Sequence, residues 1–159
     1  MPGVRRILRM YGQPSEHPPL AWEWVAAQLE AAPTYWVIPR NDGYPHTRPV
    51  WGLWLDDALH LSIGSPVIRS ALATDPRVSV HLDSGTDVVV VEGQVLPASS
   101  TDEAVLAAYD AKYDWQYDEA QYGPISRVTP QAVVAWRTGG WAGRESFRET
   151  GRWTFEPLA

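Results

Sequence analysis

The residues best suited to chemistry form a short turn between a predicted strand and a predicted helix, from Ser62 to Arg69. The first turn of a helix offers unpaired N–H groups and the positive end of a dipole, which together favour an anion. Ser62 and Ser65 add hydroxyls, and Arg69 lies three residues after Pro66, so that it can lean back toward the turn. The pattern predicts a phosphate-bearing ligand. The alternative is an ordinary capped helix with a surface arginine.

A second candidate is the run from Arg48 to Trp51, inside a predicted strand. Pro49 removes a donor from the strand ladder, so it marks an edge, a bulge or a place where another group approaches the backbone. A flat ring lying along exposed strand backbone is one such approach. A barrel edge that uses proline against aggregation is the other interpretation. Arg48 would add positive charge to the region around Ser62.

The sequence gives less support to a metal site or to a catalytic nucleophile. Three histidines, His46, His60 and His81, fall on successive predicted strands, and convergence would make a metal or haem site. Polar alternation along half-exposed strands explains them equally well. Cysteine is absent, which excludes thiolate catalysis and cysteine–zinc sites. A nucleophile elbow is absent as well. We therefore predict neither a metal site nor a dedicated catalytic side chain.

The composition limits the classes of partner that we expect. The chain has 159 residues and a net charge of −6, so a basic face for nucleic acid is not expected. No apolar run is long enough to span a bilayer and no secretory signal is evident, so we expect no membrane partner and a cytoplasmic location. Arginine is the dominant cation, with Lys112 as the one lysine. Nine tryptophans and seven tyrosines suit ligand-facing walls, or equally a tryptophan-rich core.

The order of elements predicts a mainly β fold of the α+β type. Alternating apolar residues and tight turns predict six or seven antiparallel strands, with about three helices as separate insertions. Consecutive hairpins exclude a doubly wound parallel sheet, and a small β-barrel with peripheral helices buries such strands and removes their edges. Residues 1–159 would form one domain, with an irregular arm over residues 1–19. Ser100 with Glu103 predicts a capping box, and the run from Val88 to Val91 predicts a strand buried on both faces.

Several motifs occur in an order that resembles the pyridoxamine 5′-phosphate oxidase-like split-barrel family. They are Asn41-Asp42-Gly43-x-Pro45-His46-x-x-Pro49-Val50-Trp51, then Leu61-Ser62-x-Gly64, then Asp75-Pro76-Arg77-Val78-Ser79-Val80, then Val91-Glu92-Gly93. The resemblance covers about residues 20–136. It implies a homodimer with cofactor sites at the subunit interface, and a cofactor that is FMN or the deazaflavin F420.

The resemblance also implies roles for particular residues. It places the cofactor ring beside Arg48, Pro49, Val50 and Trp51, and the phosphate near Ser62, Gly64 and Ser65. The family often has a basic pair at the start of the short helix. This chain has Val67 and Ile68 there, and its nearest cation is Arg69, one residue later.

Two hypotheses follow from the resemblance and the residues together. The first is an oxidoreductase that transfers hydride between FMN or F420 and a small organic substrate. Arg48 and Arg69 would neutralise the phosphate, and Tyr113 or Trp141 would cover the substrate side. The second is a non-catalytic protein that binds a cofactor or small molecule on the same scaffold and has lost the usual basic pair. Haem binding through the strand histidines is a distant third.

Overall fold

A computed structural model describes residues 4–6, 18–138 and 149–155, and residues 4–6 are described for their backbone alone. The strands are β1 (Val4–Arg6), β2 (Tyr35–Pro39), β3 (Arg48–Val50), β4 (Gly52–Leu55), β5 (Ala58–Leu61), β6 (Arg77–His81), β7 (Asp87–Leu96), β8 (Ser126–Arg137) and β9 (Glu149–Thr154). The helices are α1 (Trp22–Ala31), α2 (Pro66–Thr74), α3 (Glu103–Tyr113) and α4 (Glu119–Tyr122). None of these helices has the length and apolar content needed to cross a bilayer.

Seven of the strands form a nearly closed antiparallel barrel. Neighbouring strands pair in the order β4, β5, β8, β7, β6, β2, β3. Only Trp51 separates β3 from β4, so the ladder returns almost to its starting point. The mainly β class and the split barrel predicted from the sequence are confirmed, with four helices beside the barrel.

The strand β8 changes partner along its length. Its first residues, Ser126 to Val128, pair with β5, whereas Ala132 to Arg137 pair with β9. Its other edge pairs with β7 throughout, with a register shift between Glu92 and Gly93. A β-carbon on Gly93 would lie 2.5 Å from a backbone oxygen of β8, so only glycine allows this approach. β8 therefore closes the barrel and also carries the outer pair β9 and β1.

Alternation along the strands fills the barrel. Val37, Val80, Val91 and Val133 point inward and are buried, together with Leu59. Val25 and Leu29 of α1 pack into the same core, because their spacing of four residues places them on one face of the helix. A smaller cluster of Leu53, Val105, Tyr109 and Ile125 lies between α3 and the barrel. This second cluster positions α3 beside the junction of β3 and β4.

The structure corrects several local predictions. The arm over residues 1–19 contains a strand, because β1 pairs with β9. Val88 and Val90 are only half-buried, so the middle of β7 is buried on one face, that of Val89 and Val91, rather than on two. The N-cap of α3 is Asp102, and no side-chain hydrogen bond caps that helix, so the Ser100 capping box is wrong. At α2, by contrast, Ser65 accepts the N–H of Ile68 as predicted.

Candidate functional site

An open cleft of about 480 Å³ lies at the split of the barrel, between β3, the start of α2 and the segment that follows α3. This volume falls in the ordinary range for small-molecule sites. The cleft brings together all the predicted cofactor-binding residues except Arg69. Its lining residues are Arg48, Pro49, Val50, Trp51, Ser62, Gly64, Ser65, Tyr109, Trp115, Tyr117 and Tyr122.

One wall of the cleft is an edge strand. β3 pairs with β2, and it has no second strand neighbour in the described part of the chain. β5 pairs with β4, and this pairing begins only at Gly52, after β3 has ended. One further hydrogen bond, from the Ser62 N–H to the Trp51 carbonyl at 2.9 Å, extends the contact by one residue. Pro49 thus lies on an edge, where its missing N–H costs no ladder bond. The backbone of β3 remains open to a flat ligand from the cleft side.

The peptide after Trp51 is held in place by two side chains of α3. Lys112 donates from Nζ to the carbonyl of Gly52 at 2.9 Å and to that of Ala32 at 2.7 Å. The Tyr113 hydroxyl accepts the Gly52 N–H at 2.8 Å and lies 2.9 Å from the carbonyl oxygens of Gly52 and Pro33. Burial lowers the pKa of Lys112 and raises that of Tyr113. Together they fill the gap where pairing between β2 and β3 ends.

Much of the remaining lining is an aromatic wall that begins at Trp51. Trp51 stacks on Tyr113, with ring centroids 4.6 Å apart and ring planes 4° from parallel, and Trp115 meets Trp51 edge-on. Tyr109, which is buried, contacts the ring of Tyr113 and that of Tyr117. Trp51 and Trp115 remain 43% and 47% exposed. Two indole rings are therefore available to a ligand, and packed tyrosines support them from behind.

Hydroxyl groups line the floor of the cleft. The Ser62 hydroxyl lies 3.4 Å from that of Tyr117, which donates to the Gly123 carbonyl at 2.9 Å. Tyr109 also hydrogen-bonds Ser62, and burial raises the pKa of Tyr109 to about 12. Tyr109 therefore stays protonated at neutral pH and contributes a hydrogen bond and no charge.

Arg69 has partners that the sequence did not predict. Its Nε donates to the Ile63 carbonyl at 2.6 Å, and its Nη2 donates to the Tyr122 carbonyl at 3.2 Å. Arg69 does not line the cleft. The guanidinium instead joins the α2 turn to α4. Val67, at one of the family's basic positions, is 46% exposed, and Ile68 at the other is buried in the core.

The remaining candidates that the structure describes do not line the cleft. Tyr113 lies behind Trp51 with its hydroxyl engaged, and Trp141 lies outside the described residues. His46 lies in a loop, His81 stacks on Trp36, and His60 is buried. Burial, followed by the charge of Arg127, lowers the pKa of His60. No group of three potential metal ligands occurs among the residues that the structure describes.

Sequence reasoning missed the aromatic wall and the role of Lys112. Tyr109 and Tyr113 are four residues apart and share a face of α3, which is a detectable signal. Tyr117 follows the left-handed Asp114 (φ 48°), and its N–H bonds to the Asp110 carboxylate at 2.8 Å. That turn brings the phenol back over the cleft, and a periodicity argument does not anticipate it.

Comparison with known proteins places the fold. No family model matches the chain, and no curated protein matches it. Among solved structures, a candidate pyridoxamine 5′-phosphate oxidase from Listeria innocua is 18% identical with a TM-score of 0.57, over 71% of this chain and 95% of that one. A FAD-binding protein from Mesorhizobium loti is 21% identical with a TM-score of 0.54, over 86% of this chain and 96% of that one.

A third similar structure is an F420 reductase, 20% identical with a TM-score of 0.53, over 67% of this chain and 93% of that one. The TM-scores of these three structures establish that the fold is shared. The chain therefore has the split-barrel fold of the pyridoxamine 5′-phosphate oxidase-like proteins, as the order of its motifs predicts.

Proposed function

We propose that this protein binds a flavin-type cofactor, FMN or F420, in the cleft and serves as an oxidoreductase for a small organic substrate. The observation that carries the proposal is that the open edge of β3 and the exposed rings of Trp51 and Trp115 line one cleft of about 480 Å³. Three of the similar structures are described as a candidate pyridoxamine 5′-phosphate oxidase, a FAD-binding protein and an F420 reductase, which supports this class of cofactor.

The residues present suit the ring of such a cofactor. A tricyclic ring needs a flat apolar surface and a few backbone groups along its polar edge, and Trp51 with the β3 backbone supplies both. Gly52 is pinned by Lys112 and Tyr113, so this edge is rigid before a ligand binds. Arg48, at the mouth of the cleft, is the cation that would meet a phosphate.

A bound flavin or deazaflavin would supply the hydride chemistry itself. The protein then needs only to bind the cofactor, orient it toward the substrate and shield both from water. Trp51 fixes the plane of a stacked ligand, because Tyr113 holds its indole parallel from behind. Tyr117 and Ser62 offer hydroxyls toward the floor of the cleft. In this proposal no described residue of the cleft needs to exchange a proton.

We also propose that the protein is a homodimer. Half-buried side chains form a row across the outside of the barrel, one per strand and in register: Trp36, His81, Val90 and Val134. Pro49 continues the row at one end, where it borders the cleft. A second copy seated on this row would cover the apolar side chains and bring its own residues close to the cofactor.

The test is the absorption spectrum of the full chain purified from a host that makes F420, followed by titration with FMN and F420. We expect the visible band of a flavin or deazaflavin in the purified protein, or saturable binding on titration. Trp51→Leu should weaken binding by about tenfold, since an aromatic stack and its buried area are lost. Tyr44→Leu, which removes an exposed ring outside the cleft, should have no effect. If the protein carries no such band and binds neither FMN nor F420, the proposal is overturned.

The second candidate function, a binding protein without turnover, is favoured by Arg69, whose guanidinium bonds to backbone carbonyls. Anaerobic reoxidation of the reduced, protein-bound cofactor separates the two. An oxidoreductase should pass hydride to at least one quinone, nitro or enone acceptor faster than the free reduced cofactor does. A binding protein should slow that reaction for every acceptor.

A further inference from the structure

The ammonium group of Lys112 is held by three neutral oxygens. Its Nζ donates to the Ala32 carbonyl at 2.7 Å and to the Gly52 carbonyl at 2.9 Å, and it lies 3.3 Å from the Tyr35 hydroxyl. That hydroxyl gives its own proton to the Leu29 carbonyl at 2.6 Å, so its oxygen accepts from Lys112. Three acceptors match the three N–H donors of an ammonium group. The geometry therefore indicates that Lys112 carries its charge.

This charge has no ion-pair partner among the residues that the structure describes. The ion pairs there join arginines to Asp75, Asp87, Glu92 and Glu149, and none of them involves Lys112. The side chain is half-buried, and burial lowers its pKa. Such a cation is costly, because water solvates it incompletely and no carboxylate offsets the loss. Its positive potential therefore extends into the protein around it.

Two stacked aromatic rings connect this charge to the cleft. Lys112 Nζ lies 5.3 Å from the centre of the Tyr113 ring, and that ring stacks on Trp51 with centroids 4.6 Å apart and planes 4° from parallel. Trp51 lines the cleft and is 43% exposed. Along this line ring atoms separate the ammonium from the cleft, and they screen a charge far less than water does. A ligand that stacks on the exposed indole therefore lies within the field of Lys112.

The other charges around the cleft do not cancel this one. Arg48 is the sole ionised side chain among the described lining residues, and the start of α2 adds the positive end of a helix dipole. Acidic side chains on the neighbouring elements are either exposed to water or bound to backbone N–H groups, and both conditions weaken their fields. Glu30 and Asp114 are exposed, whereas Asp110, Asp118 and Glu119 accept N–H groups. The described lining that a ring would touch therefore carries positive charge and no carboxylate.

We infer that the cleft stabilises the negatively charged form of the ring that it binds, with Lys112 as the positioning residue responsible. The inference rests on the flavin-type function proposed above and specifies the charge state that the site selects. Two electrons and one proton convert the neutral oxidised flavin ring into an anion, and loss of the 8-hydroxyl proton makes an anion of the oxidised F420 ring. Lys112 does not line the cleft, so it acts by its charge, through the rings of Tyr113 and Trp51. One unit charge acting over about 10 Å, at an effective dielectric constant of about 20, changes such an equilibrium by roughly tenfold.

The experiment measures the pH at which the bound ring ionises. The full-length protein is loaded with FMN and reduced by dithionite without oxygen, or loaded with oxidised F420, and its absorption spectrum is followed from about pH 5 to pH 9 beside that of the free cofactor. Ionisation of the bound ring should occur at a pH lower by about one unit, which is the tenfold effect of one charge. Lys112→Met should remove this shift, and Lys112→Arg, which restores the charge, should keep it. Tyr35→Phe disturbs the same contacts without removing charge, so it is the matched control and should also keep the shift.

Each failure has its own signature. If the bound ring ionises at the same pH as the free cofactor or at a higher one, or if the shift survives in Lys112→Met, the inference is overturned and the proposed function stands. An equal loss of the shift in Tyr35→Phe would overturn it too, because packing rather than charge would then be responsible. Lys112→Gln, which keeps two N–H donors without the charge, replaces Lys112→Met if that variant is unfolded or binds no cofactor. Failure of the wild-type chain to bind either cofactor would overturn the proposed function, and the inference with it.

Discussion

Lys112 donates a hydrogen bond to the carbonyl of Gly52 at 2.9 Å, 60 residues away in the chain. The same ammonium reaches the Ala32 carbonyl at 2.7 Å and lies 5.0 Å from the centre of the Tyr35 ring. It therefore joins α3, the end of α1 and the bend between β3 and β4. The one lysine of the chain occupies a position where strand pairing is missing.

Replacing this lysine should destabilise the fold. Lys112→Met keeps the length of the side chain and removes its donors, which leaves carbonyl groups without their partner. We expect a loss of about 1–3 kcal/mol in the free energy of unfolding. Urea unfolding measures it, with Gln116→Met, an exposed position just beyond α3, as the control. An unchanged midpoint in Lys112→Met would show that water replaces the ammonium at no cost.

Two glycines of the cleft region should respond differently to alanine. A β-carbon on Gly52 would lie 2.6 Å from the His60 carbonyl oxygen and from the Leu61 side chain, whereas one on Gly64 would meet nothing within 4 Å. Gly52→Ala should cost about 1–3 kcal/mol or more, because backbone cannot move aside. Gly64→Ala should change stability by less than about 1 kcal/mol. Chemical denaturation of both variants tests the contrast, and equal effects would contradict it.

Stability should fall in alkali because of Tyr109. Burial raises the pKa of Tyr109 to about 12, above its ordinary value of 10.0. The unfolded chain therefore loses this proton first, and the contribution that is complete below pH 10 is lost between pH 10 and 12. Denaturant unfolding across that range should show a declining free energy, and Tyr109→Phe should make the decline shallower. An identical slope in the variant would contradict the assignment.

Arg69 should matter more for the segment after α3 than for the barrel. Arg69→Met removes two hydrogen bonds to carbonyl oxygens, one of them on Tyr122. Hydrogen exchange of residues 114–125 should become faster, while amides of β7 keep their protection. Arg77→Met, which breaks a surface pair with Asp75 instead, is the matched control. Faster exchange in both variants would mean that the effect is not specific to this contact.

The proposed dimer predicts an effect of charge on the outer row. Val90 is half-buried between His81 and Val134 in the register of the sheet. Val90→Asp should convert a dimer to a monomer, because a carboxylate would be buried without a partner. Val67→Asp, at an exposed valine of α2, should leave the mass unchanged. Light scattering gives the mass directly, and a wild-type monomer at micromolar concentration would contradict the proposal.

Local sequence patterns accounted for most of the barrel. The short apolar run from Tyr35 to Pro39, followed by turn residues, predicts β2 with its observed bounds, and a proline at N1 predicts the observed start of α2. The sequence predicts a strand only from Val133 to Arg137, the second half of β8. The first half is not predicted, because Pro130 resembles a strand break and the pairing there depends on two distant strands. α4 is a single short turn without a periodic pattern, so the sequence offered nothing to detect.

The sequence predicted only part of the candidate site. The motifs around Arg48 and Ser62 do meet at one cleft, because both flank the bend of the barrel. The hydrogen-bond partners of Arg69 could not be predicted from the sequence, since they depend on where α4 packs. The aromatic wall depends on the left-handed turn at Asp114, which nothing in the residue type requires. Side chains that meet through tertiary packing are therefore the part that local patterns missed.

The pairing of β5 with β8 has a consequence for the protein during its synthesis. This pair joins residues 59–61 to residues 126–128, so a nascent chain that ends before Ser126 leaves one edge of β5 unpaired. Unpaired strand edges recruit strands from other chains. A fragment released from the ribosome before Ser126 should therefore aggregate. A fragment that includes β8 should stay in solution, because β8 then covers the edge of β5.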